Sequence, residues 1–171
     1  MKINGNRVQS WWPPHVNEIR IICPLPARLQ SGRIIAELTA IGLAAHDKLK
    51  NGSDLLAPDY TRGRSQAASD ELQKQLERKG VLVPLSFSLE KVIGSNFSRS
   101  IDPLGRVGEH HLLMVKFKEG AVLVDITAAE FEGRGRQFAN TNVLLIPTTH
   151  EEILTNLARV YGGEWRIKGQ S

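Results

Sequence analysis

The chain has one cysteine, Cys23, in 171 residues. A lone cysteine excludes an internal disulfide and a cysteine-built zinc site, and it makes folding in a reducing cytoplasm the expectation. No apolar run approaches the roughly 20 residues that cross a bilayer as a helix, so no membrane span is expected. The start, Met1-Lys2-Ile3-Asn4-Gly5-Asn6, lacks the apolar stretch of a Sec signal peptide. Export would need a specialised route. Aromatic residues are scarce, and none alternates with Arg62, Arg64, Arg134 or Arg136 as a stacking platform would require. The net charge of +4 is therefore read as a solvated surface, and nucleic acid is not expected as a partner. There is no internal repeat and no low-complexity tract.

What is there fits a single domain over residues 1–171. Residues 1–15, with Trp11-Trp12-Pro13-Pro14, read as an irregular entry segment. Val16–Ile22 is a strand candidate, ended by Cys23-Pro24-Leu25-Pro26. Arg33–Leu49 reads as a helix, because Ile34, Leu38, Ile41 and Ala45 form one apolar stripe. Leu55–Ala68 is polar, carries Pro58 and Gly63, and reads as a mobile loop. A second helix is expected over Ser69–Lys79, with Ser69 as its N-cap. Val81–Leu85 suggests an edge strand, and Phe87–Gly108 a long irregular segment. Strands are expected at His111–Phe117, Ala121–Thr127 and Val143–Ile146. Thr149 and Glu152 form a capping box for a last helix running to about Tyr161. The sum is an α+β domain with an antiparallel sheet packed on helices.

One carboxylate stands out. Asp125 lies inside the apolar run Val122-Leu123-Val124-Asp125-Ile126, where burying a charge is costly unless it is paired. A three-residue turn, Lys118-Glu119-Gly120, with glycine in the last position, is a common hairpin solution. It would set Phe117 opposite Ala121 and Leu113 opposite Asp125, making His111 and Asp125 diagonal neighbours on one face. An even-numbered turn would pass the role to His110. A histidine held by a carboxylate is the orienting half of a nucleophilic triad. It is equally the signature of a satisfied structural pair.

The two strands, "HHLLMVKF" and "VLVDITAAEF", resemble the histidine and aspartate strands of the papain/transglutaminase-like fold. The nearest likeness is to bacterial members reading (V/I)DITA(D/E)QF after the hairpin, here Val124 to Phe131. That group includes cysteine proteases, transglutaminases and the glutamine-deamidating domains of toxins and secreted effectors. The resemblance covers about residues 108–131. It implies a papain-like domain in which a thiolate attacks a protein carboxamide, His111 moves the proton and Asp125 orients His111, with no metal or cofactor. It implies a protein substrate, a host protein in the case of an effector. It also requires a nucleophile at the first turn of a helix packed on these strands. Cys23, the sole cysteine, is the candidate nucleophile, on a first turn distorted by Pro24 and Pro26. Ser31, at the start of the first expected helix, is the alternative nucleophile position, and a catalytically dead module that binds a protein is the alternative function.

Overall fold

The computed structural model describes residues 2–4, 7–9, 18–22, 32–50, 64–79, 86–97, 108–131 and 141–169. Along the chain come β1 (Lys2–Asn4), β2 (Arg7–Gln9), β3 (Glu18–Ile22), α1 (Gly32–Lys50), α2 (Ser65–Lys79), β4 (Ser88–Ser95), β5 (Glu109–Phe117) and β6 (Gly120–Asp125). A 3-10 turn (Ala128–Phe131) leads to β7 (Thr141–Thr148). A second 3-10 turn (His150–Glu152), α3 (Ile153–Tyr161) and β8 (Glu164–Ile167) complete the order.

The fold is α+β, built on one mixed sheet. Its body runs β3-β7-β6-β5-β4-β8, and the β1–β2 hairpin extends it beyond β3. The expected antiparallel sheet is corrected at one place, because β3 and β7 are parallel. Antiparallel neighbours can be joined by a tight turn, whereas parallel ones need a crossover. α1 and α2 lie in the long connection between β3 and β7.

Helices cover both faces. On one, Leu38, Ile41 and Leu49 of α1 and Leu72 and Leu76 of α2 bury against Leu113, Val115, Val122, Val124 and Leu145. On the other, Ile153, Leu157 and Tyr161 of α3 bury with Trp165 of β8 against Leu112, Met114, Leu123 and Leu144. Every residue of β6 is buried, which is why its sequence is a continuous apolar run rather than an alternation. Each of its valine and leucine side chains contributes roughly 1.5–3 kcal/mol by leaving water. No helix among the described residues is long and apolar enough to cross a membrane.

Several sequence expectations change. α2 begins at Ser65, not Ser69, so the expected loop over 55–68 is helical from 65. The added turn is held by Ala68 N–H bonding Arg64 O, and it buries Ala68. Ser69 lies inside the helix and donates to Gln66 O at 2.9 Å. β4 occupies part of the stretch read as irregular, and β8 had no counterpart. In β4 only Val92, Ile93 and Gly94 are buried, so its sequence carries little alternation. The capping box also differs. Thr149 makes no side-chain cap bond, and its hydroxyl donates to the Glu152 carboxylate at 3.1 Å. The edge strand expected at Val81–Leu85 and the irregular entry expected over residues 1–15, apart from β1 and β2, lie outside the described residues.

Candidate functional site

The β5–β6 hairpin turns on two residues, Lys118 and Glu119, because Gly120 already pairs with Phe117. The even count shifts the register by one from the expected odd turn. Leu113 faces Val124, so Asp125 falls on the face of Leu112 and His110. The pairing of His111 with Asp125 is thereby corrected. A one-residue change in register sends a side chain to the opposite face, and His111 emerges on the side of α2.

His110 and Asp125 meet in the layer beneath α3. His110 Nε2 lies 2.7 Å from Asp125 Oδ2. His110 Nδ1 contacts Glu130 Oε1. Both ring nitrogens therefore face carboxylates. Glu130 reaches back because the chain after β6 closes a 3-10 turn, in which Glu130 N–H bonds Thr127 O at 3.1 Å. Asp125 is held further. Tyr161 O–H donates to its Oδ2 at 2.6 Å. The Thr127 amide and hydroxyl donate to its Oδ1 at 2.8 and 3.1 Å. Phe131, Tyr161 and Trp165 wall the imidazole, with ring centroids 4.7, 5.5 and 6.2 Å from it.

Electrostatics follow from this packing. Burial alone pushes the His110 pKa down. The charges of Asp125 and Glu130, with their hydrogen bonds, outweigh burial and raise it to about 10. Burial works against ionised Asp125 as well, but the His110 charge and the donors around it hold its pKa below the usual carboxylate value. Burial, then the Asp125 charge, pushes the Tyr161 phenol well up, so it stays a donor. His110 is 0% exposed, and both of its ring nitrogens meet carboxylates, an arrangement that favours the imidazolium. A general base needs a lone pair at the proton it takes, and this ring has none to offer.

His111 has the opposite character. Burial depresses its pKa first, opposed by Glu109, whose carboxylate stands 3.5 Å from Nε2. Its Nδ1 has no hydrogen-bond partner. The His111 amide N–H donates to Ser65 Oγ at 3.1 Å. Ser65 is the first residue of α2 and is buried.

Cys23 and Ser31 both lie outside the described residues. The position of α1 is described. Arg64, next to Ser65, donates to Leu49 O, so the C-terminal end of α1 lies toward His111. A helix of 19 residues is about 28 Å long. α1 packs on the face of Leu113 and Val124, opposite His110.

Ser65, Thr127, Glu130 and Tyr161 had no role in the sequence reading. Ser65 falls in the stretch whose sequence suggests a loop. Among the described residues no group of three or more His, Cys, Asp or Glu side chains could hold a metal ion. Comparison with protein-family models, curated proteins and solved structures finds no match.

Proposed function

We propose that this chain is a papain/transglutaminase-like domain that acts by binding a protein partner, with its histidine–aspartate pair serving as scaffold. One observation carries the reading. His110 has both nitrogens engaged by carboxylates and no exposed surface, so it cannot accept a proton from a nucleophile. The aromatic wall and the donors on Asp125 make the pair a satisfied buried network, the kind that fixes how elements pack.

The second reading is the hydrolase that the resemblance implies: glutamine deamidation by a secreted effector, or peptidase or transglutaminase chemistry. Ser65 favours it. It opens a helix packed on β5, the place the resemblance asks of a nucleophile, and its Oγ accepts from the His111 backbone N–H. A serine there is far harder to deprotonate than a thiol.

Ammonia release from a glutamine-rich protein such as casein distinguishes the two. The wild-type chain is expected to release none above a Cys23→Ala control. Turnover that disappears with Cys23→Ala, Ser65→Ala or His110→Ala would overturn the binding-domain reading.

A further inference from the structure

We propose that Glu130 is the residue that silences His110: its carboxylate occupies Nδ1, the nitrogen that Asp125 leaves over, and so holds the ring as an inert imidazolium. The inference deepens the scaffold reading and rests on it.

The geometry assigns the two carboxylates different parts. Asp125 engages Nε2 and is itself fixed by Tyr161 and Thr127. That alone is the arrangement that orients a histidine and leaves its other nitrogen available. The other nitrogen is where Glu130 sits. Its hold is local in origin, since the 3-10 turn after β6 aims it back at the ring only five residues past Asp125. Asp125 and Glu130 are the carboxylates in contact with the imidazole. α3 brings the neutral Tyr161, β4 brings Val92 and Gly94, and β8 brings Trp165. A carboxylate on each ring nitrogen favours the protonated ring. With Glu130 uncharged, the ring would face one carboxylate, and burial would favour losing the proton from Nδ1.

The test is the titration of His110 in the full chain, labelled with ¹⁵N-histidine and followed by long-range proton–nitrogen NMR, for wild type, Glu130→Gln and Glu130→Met. Methionine supplies a side chain of similar length that needs no partner. The expected result is a fall in the His110 pKa of about two units or more in either variant, with Nδ1 losing the proton and Nε2–H remaining on Asp125. A His110 that stays protonated as in wild type in both variants overturns the role given to Glu130. It would leave the scaffold reading intact, with Asp125 alone responsible. Failure of both variants to fold would also overturn the proposal, because Glu130 would then be needed for the fold itself.

Discussion

Replacing His110 with glutamine should change how stability depends on pH. His110 has a pKa of about 10 in the folded chain against 6.5 as its ordinary value. A group whose pKa is raised on folding contributes its full stabilisation below the unfolded value and loses it as pH climbs to the folded one. The window is therefore pH 6.5 to about 10. Across it the contribution is on the order of 5 kcal/mol, with a slope approaching about 1.4 kcal/mol per pH unit. That is a large share of the roughly 5–15 kcal/mol that holds a domain together. Guanidinium unfolding at steps of pH through that window, on wild type and His110→Gln, measures it. The wild type should lose stability steeply, and the variant, weaker at neutral pH, should lose much less. Both chains carry Cys23 and the same tyrosines, so the difference isolates His110. A wild-type-minus-variant difference that stays constant across the window would refute the imidazolium.

Three further substitutions probe the surroundings. Tyr161→Phe removes a fully buried donor 2.6 Å from Asp125 without opening a cavity; it should cost about 2 kcal/mol and lower the Tm by roughly 4–8 °C, read by calorimetry. Gly94→Ala would put a methyl group 2.7 Å from the Trp165 ring and 2.8 Å from Phe97, so chemical denaturation should show a loss of about 1–3 kcal/mol. Thr149→Ala should cost less than about 0.5 kcal/mol, because its hydroxyl meets the Glu152 side chain and no helix amide; a loss of a full N-cap's worth, about 1 kcal/mol, would contradict the geometry.

Much of this architecture is legible in sequence where a segment's pattern follows its packing. α1 shows a clean stripe because one side faces the sheet. β6 is a continuous apolar run because it is covered on both faces. The buried Asp125 announces a partner for the same reason. Which histidine answers it depends on whether Gly120 closes the turn or opens the next strand, and both solutions suit glycine. Tyr161 lies 36 residues from the carboxylate it caps, a distance no local pattern encodes. β8 buries Trp165 alone of its four residues, so it has no period to read. Ser65 was hidden by the glycine and arginines before it, which suggest a loop, although the alanines after it extend the helix.

Carboxylates on both ring nitrogens hold His110 as an imidazolium at neutral pH. The most direct measurement is the ¹⁵N shift of its two ring nitrogens in the wild-type chain between pH 5 and about 10. Both should stay protonated until the pH nears about 10. A bare nitrogen on His110 at neutral pH, or a titration close to 6.5, would contradict it.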